Sequence, residues 1–599
     1  MHHTTLPAEP AAGLACPGAK HLRERIRAIA ADTVASWHAE GLPAGIRSPG
    51  GLRLVAEAIV GRVGGEPSQV GWTMVTLVSE YWRPRLAAGS SGRRLLLLPD
   101  CPRCGPADDD RGVPLTCGPG CGIATIWAAA RDCGWSVEPT ARAVSAIGSL
   151  LTGQYDGILG VARLADLEKA FGMLPAFSLP VAAVPYQPIV TAEPEHSSCP
   201  ASLAAAAIDV EWVLGLVGVA GGAAAPVGDY LPLLREAAEM FSPAALARLA
   251  QSVQLPGLLG DGAECFAAES VPPLEATAVM SADFLARGGK FLRPFVTLAA
   301  FDAVAADRAE QGSTAAAAAH REAARTAAVA IEIFHKASLV HDDIEDDDAM
   351  RYGRPTLHHE RGVPAAINAG DYLLGAGYRL VSLLPGVAAE TIADLVATLS
   401  DAHVRLAQGQ GAELWWRDAG DRGLTPAEAL AIYGLKTSPA FEAAVAMGIR
   451  LAGVAAESVA AIGRYALHVG TGFQVLNDLK DWGGDLENDR RAAGDLLGGR
   501  PTLLWALAIE RLDRAAVARL REIAGLARRD DLGPEPLAEL LREARSLYDQ
   551  AEVLPRARAI AAEQRRLAGE ALAGCRLRRL REVLEFLLDL AVPDPVAAT

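Results

Sequence analysis

The spacing of apolar residues divides the chain into two regions of different character. From about residue 230 onward apolar positions recur at helical intervals nearly everywhere, which predicts an all-helical domain of roughly ten or more helices. Polar or Gly/Pro-rich breaks fall near 306–315, 417–425, 483–500 and 531–535. One helix start is spelled out locally, with Thr425 as N-cap, Pro426 at the first helical position and Glu428 closing a capping box. Between about 20 and 200 the pattern changes. Short apolar runs at 94–98, 157–161 and 181–184 read as strands between helical segments, which predicts a smaller α/β domain. The Gly/Ala/Pro stretch 221–228 marks the boundary, giving an N-terminal α/β domain over 1–225 and an all-α domain over 226–599. No repeat of solenoid period interrupts either region.

Composition narrows the picture. The 599 residues are 51% hydrophobic, 21% charged and 5% aromatic, which fits a largely helical folded protein and argues against disorder. The formal net charge of −16 leaves no whole-protein basic field, so nucleic acid is not an expected partner. Residues 1–20 lack the charged start and apolar core of a secretory leader, and the longest uncharged run, 212–228, is short for a membrane span. The expectation is a cytoplasmic protein without a transmembrane segment. Lysine is scarce beside arginine, and Lys290, Lys336, Lys436 and Lys480 all fall in or beside the motifs that follow.

The segment 331–359, IEIFHKASLVHDDIEDDDAMRYGRPTLHH, opens as an apolar helical stripe and turns abruptly acidic. Asp342 and Asp346 lie four apart, so helical geometry projects both carboxylates from one face. Like charges so placed repel, and sharing a hard divalent cation stabilises them; Mg²⁺ takes one or two carboxylates plus phosphate oxygens. Downstream, FQVLNDLKDW repeats the spacing with Asn477 and Asp481, and Asp478 stands between them. Each run follows an apolar stretch, whereas a solvated helix face usually alternates acidic with basic residues. Basic groups accompany the pair. GGKFLRP puts Lys290 and Arg293 three apart at a helix start, where free backbone N–H groups also favour anions. His335 precedes Asp342 by seven residues, Arg351 follows the acidic run, and Lys436 adjoins Thr437 in YGLKTSPAFEAA. Together they describe two diphosphate sites, one bound by basic side chains and the other bridged by metal.

With these motifs the chain resembles the trans-isoprenyl diphosphate synthase (polyprenyl synthetase) family over about 230–599: GGK..RP, H.ASL.HDD..DD, R.GRPT.H, GQ.AEL, KT and FQ..ND..D occur in family order. The resemblance implies an α-helical isoprenoid synthase bundle around a deep apolar cavity, usually a homodimer. It implies elongation of an allylic diphosphate by isopentenyl diphosphate through ionisation, condensation and proton loss, with released pyrophosphate as proton acceptor. By similarity Lys290, Arg293 and His335 bind isopentenyl diphosphate. Asp342 and Asp346 bind Mg²⁺ on the allylic diphosphate, aided by Arg351, and Asp343 belongs to the same catalytic motif. Lys436, Thr437 and Gln474 stabilise the allylic partner, Asn477, Asp478 and Asp481 make the second metal patch, and Arg491 falls at a diphosphate-binding position. Asn477, Tyr352 and Phe291 depart from the family pattern, the first replacing an Asp and the others basic residues; Arg491 and Arg500 stand where lysine is usual. Ser338 and Ala337 are small and Phe334 lies one helical turn deeper, so Phe334 is the expected chain-length floor and geranylgeranyl diphosphate or longer the expected product. A class I terpene cyclase and a non-catalytic regulatory subunit of a prenyl synthase remain the alternatives.

In the N-terminal region Cys101, Cys104, Cys117 and Cys121 form a Cx₂C and a Cx₃C pair, a spacing that favours Zn²⁺ or an iron–sulfur cluster over the alternative of ordinary reduced thiols. About 50–215 looks like a cysteine-containing domain of unknown function, with Arg163 where a further Cys is expected. Redox or metal sensing and partner docking are both consistent with it.

Overall fold

The computed structural model describes residues 16–17, 19–43, 45–46, 49–87, 93–99, 122–140, 143–151, 153–167, 177–186, 208–218, 230–252, 272–310, 315–417, 423–454, 459–482, 495–496, 500, 502–527 and 534–593. The chain divides into two compact units, one ending at Arg235 and one over Glu236–Val592.

In the first unit α1 (Lys20–Glu40), α2 (Pro49–Val63) and α3 (Val70–Ala87) precede β1 (Arg94–Leu98), α4 (Gly122–Asp132), β2 (Trp135–Pro139), α5 (Ala143–Leu151), β3 (Gly157–Arg163), β4 (Val181–Tyr186) and α6 (Val210–Val217). The strands form a parallel sheet in the order β2-β1-β3-β4. Every residue of β1, RLLLL, is buried, as a strand covered on both faces must be. The three apolar runs are strands; β2 was missed, because WSVEP carries only one buried residue and lies at the sheet edge. Ser79 on α3 joins the helix to the sheet, donating to Ala183 O at 2.7 Å and accepting from Ala183 N at 2.9 Å. The four clustered cysteines, the 221–228 stretch and Arg491 lie outside the described residues.

The second unit runs α7 (Ala276–Ala286), α8 (Leu292–Glu310), α9 (Ala315–Glu345), a two-residue hairpin of β5 (Met350–Arg351) and β6 (Arg354–Pro355), α10 (Leu357–Arg361), α11 (Val363–Ser382), α12 (Ala389–Arg417), α13 (Pro426–Leu451), α14 (Val459–Asp481), α15 (Leu503–Arg511), α16 (Arg514–Ala527), α17 (Pro534–Gln550), α18 (Val553–Leu572) and α19 (Arg578–Ala591). The Thr425 capping box starts α13 as its sequence predicts. The 31-residue α9 packs on α11, α8 and α13, and its buried stretch is rich in alanine, which lets neighbouring helices come close. α12 packs on α13, and α14 on α18. No helix among the described residues is long and apolar enough to cross a membrane.

α8 and α13 approach closely at Gly448, where an added Cβ would lie 2.3 Å from the Thr297 carbonyl oxygen. Backbone cannot yield there as a side chain can. Gly448→Ala is expected to cost about 1–3 kcal/mol by overpacking, read as a lower thermal or urea midpoint for the second unit; an unchanged midpoint would show that the helices separate freely.

Candidate active site

α9 ends where its sequence turns acidic. Asp346 N still donates to Asp342 O at 2.8 Å, which extends the helical bonding so that the two carboxylates share a face. Burial pushes the Asp342 carboxyl up to about 7; Lys436 draws it down, Glu345 and Asp346 push it further up, and Arg351 opposes them. Asp346 is flanked by the guanidinium groups of Arg417 at 3.4 Å and Arg500 at 3.3 Å. Arg500 also reaches Asp348 and Asp495, each at 3.4 Å, and the Asp495 amide donates to Asp481 at 3.0 Å. The first acidic motif is thereby joined to the second through Arg500 and Asp495.

Lys436 on α13 donates to Glu413 on α12 at 2.6 Å. Gly409 makes this contact reachable, since a Cβ there would lie 2.8 Å from Leu435 C and Lys436 N and would hold the helices apart. The neighbouring Thr437 donates to Gln474 Oε1 on α14 at 3.4 Å. Thr437 and Gln474 thus meet across two helices, while the adjacent Lys436 is held by Glu413.

Asp343 turns inward beside Asp342. Its carboxylate is 1% exposed and accepts from Arg351 Nε at 2.5 Å, so it holds Arg351 and does not face an open site. Burial pushes this carboxyl up and the Arg351 bond draws it back. Asp478, expected in the second metal patch, points into the interior. It accepts from the Tyr433 hydroxyl and from Leu503 N at 3.2 Å, and so caps the start of α15. Its carboxylate is thereby committed to the interior, although Asp478 stands only three residues before Asp481, about 60° from it around the helix. Burial drives its carboxyl well above the ordinary value, with Asp495 adding to the effect.

Arg351 also bears on a second cluster, made by Arg293, Glu332, His335, Lys336 and Tyr352. Burial pushes the His335 ring well down, and Arg293, Lys336 and Arg351 push the same way. The imidazole is therefore neutral at physiological pH and offers a hydrogen bond rather than a charge. Arg293 keeps a buried Nε without a protein partner, a costly state that an anion's oxygen would relieve. Lys290 is exposed in the loop before α8.

Sequence motifs gave no role to Lys336, which the structure makes central. It is 0% exposed, donates to Gly288 O, and sits over Tyr352 at 4.1 Å, with Phe284 at 5.6 Å and Phe291 at 5.8 Å. Burial pushes the ammonium down to about 8, against the pull of Glu332. Phe291 and Tyr352 both hold left-handed backbone, at φ 46° and 54°, an uncommon and strained state for bulky residues. The aromatic residues at the two departing positions thus enclose a cation. Arg417 and Glu413 were likewise unassigned from sequence, because their partners lie on other helices.

Phe334, 1% exposed, packs edge-on against His403 at 5.3 Å and Tyr378 at 6.5 Å, while Tyr378 and His403 hydrogen-bond at 3.1 Å. Ala337 is buried, and Ser338 turns its hydroxyl back to His335 O at 2.8 Å.

Residues 275–536 match the polyprenyl synthetase family. A short chain isoprenyl diphosphate synthase of Methanothermobacter thermautotrophicus is 28% identical over 327 residues, spanning 54% of this chain and 93% of that protein. The geranylfarnesyl diphosphate synthase of Aeropyrum pernix is 32% identical over 248 residues, 41% of this chain and 73% of that protein. Among solved structures, the geranylgeranyl pyrophosphate synthetase of Pyrococcus horikoshii aligns with a TM-score of 0.47 at 26% identity, covering 59% of this chain and 98% of that one.

Asp342, Asp346, Asn477 and Asp481 offer oxygen donors only, the set that suits Mg²⁺. A cation held there would compete with the proton of Asp342, whose carboxyl burial raises to about 7. Mg²⁺ affinity, measured by calorimetry in the presence of pyrophosphate, is expected to rise up to about tenfold per pH unit below about 7 and to level off above it. Asp342→Asn should flatten this profile; a slope unchanged in the variant would assign the proton elsewhere.

Proposed function

The chain belongs to the polyprenyl synthetase family and is a prenyltransferase, and on that premise we propose that its second unit condenses isopentenyl diphosphate with an allylic diphosphate, forming geranylgeranyl diphosphate or a longer product. The observation that carries this reading is the pairing of two acidic motifs, joined through Arg500 and Asp495, with a separate cluster of Arg293, His335 and Lys336. A cyclase has no second diphosphate to hold, so this second cluster favours condensation.

Asp342, Asp346, Asn477 and Asp481 would hold Mg²⁺, which when bound neutralises charge on the leaving diphosphate. Arg351 and Lys436, positioned by Asp343 and Glu413, add fixed positive charge at the same end of α9. Thr437 and Gln474 supply oxygen dipoles suited to a developing allylic cation. Arg293 and Lys290 are the groups for the second diphosphate, with neutral His335 as a directional partner. Phe334, backed by His403 and Tyr378, closes the apolar end and limits chain growth.

Purified protein supplied with Mg²⁺, isopentenyl diphosphate and primers of increasing length should give elongated products, identified by mass. Asp342→Ala is expected to lower turnover by about 10³-fold or more, and full activity in that variant would reject the site. Phe334→Ala should shift products to greater length; an unchanged distribution would move the floor to another residue.

A further inference from the structure

Three side chains that the proposed reaction does not use converge on the loop after α9. Asp347 brings Oδ1 to 3.6 Å from His358 Nε2 and 3.8 Å from His359 Nε2. The three potential ligand atoms lie within 4.8 Å of one another, and the two imidazole centroids are 4.5 Å apart. His358 is the informative member. Its side chain is only 6% exposed, and neither ring nitrogen has a hydrogen-bond partner. An unsatisfied buried polar group costs about 1–3 kcal/mol, and Nε2 is aimed at the carboxylate of Asp347 without bonding to it.

We propose that Asp347, His358 and His359 form a binding site for a transition-metal ion of the zinc class, separate from the oxygen-donor set of Asp342 and Asp346. Two imidazoles and one carboxylate are the donors of three-ligand zinc sites that keep a fourth position open, whereas Mg²⁺ favours oxygen alone. Two ligand atoms each about 2.1 Å from a tetrahedral ion lie about 3.4 Å apart, close to both histidine–aspartate separations. Only Asp347 and His359 need to turn, and both are exposed enough to do so. A bound ion ties the end of α9 to α10 and closes the loop that carries Arg351 on β5. The site therefore braces the segment through which Asp343 holds Arg351.

The test is a Zn²⁺ titration of the full chain, read by competition with a chromophoric chelator and by metal retained after desalting. Wild type is compared with His359→Ala and with Asp347→Asn, since Asn tolerates the left-handed backbone at 347. Both changes are at exposed positions, and circular dichroism confirms that each variant is folded. The N-terminal cysteines are common to all three proteins and cancel in the difference. Wild type should retain a single zinc equivalent more than either variant, whose affinity at this site falls by more than the roughly 100-fold typical of losing a supporting group. Millimolar Mg²⁺ should leave that zinc in place. Equal zinc in all three proteins, or displacement by Mg²⁺, overturns the assignment. Neither result depends on prenyl transfer, so failure here and failure of the condensation reading are separable.

Discussion

Negative charge concentrated at the end of α9 is the constraint around which the second unit is built. Asp342, Asp343, Glu345, Asp346 and Asp348 crowd a partly buried turn, and unit charges about 4 Å apart interact by roughly 4 kcal/mol at an effective dielectric near 20. The compensating cations come from four separate places: Arg351 on β5, Arg417 at the end of α12, Lys436 on α13, and Arg500 before α15. The folded bundle is what brings them to one point. Even so burial, with Glu345 and Asp346 adding to it, keeps Asp342 raised to about 7, a carboxyl that a divalent ion would help to ionise.

The neighbouring cluster solves the opposite problem. Burial, and then the positive charge of Arg293, Lys336 and Arg351, keeps the His335 imidazole neutral. Lys336 has given up bulk water for one carbonyl and three aromatic faces, an arrangement whose cation–π part is worth about 2 kcal/mol when desolvated. Left-handed backbone at Phe291 and Tyr352 turns these rings over the ammonium. Local strain of this kind persists only where surrounding packing over-determines it.

Much of the fold was legible in local pattern. Helical periodicity gave the second unit, the capping box gave the start of α13, and buried apolar runs gave three of the four strands of the parallel sheet. β2 escaped because an edge strand buries little and so carries no continuous apolar run. Within the candidate site the four-residue spacing put Asp342 and Asp346 on one helical face, as local geometry alone requires. Asp478 belongs to the motif, but its carboxylate is taken up by Tyr433 and Leu503, partners that the motif does not name. Arg417 gave no signal and Lys336 only that of a scarce lysine inside a motif, their meaning residing in partners on distant segments.

Sequence by itself determined which residues can act together inside one helix, because 3.6 residues per turn sets the relative direction of every side chain along it. Tertiary structure alone decided which direction meets solvent, another helix or the opposing charge. It sent Asp478 to the start of α15, set Arg500 between the two acidic motifs, and closed an aromatic box on Lys336. Those outcomes depend on contacts between residues far apart in the chain, and no local periodicity encodes them.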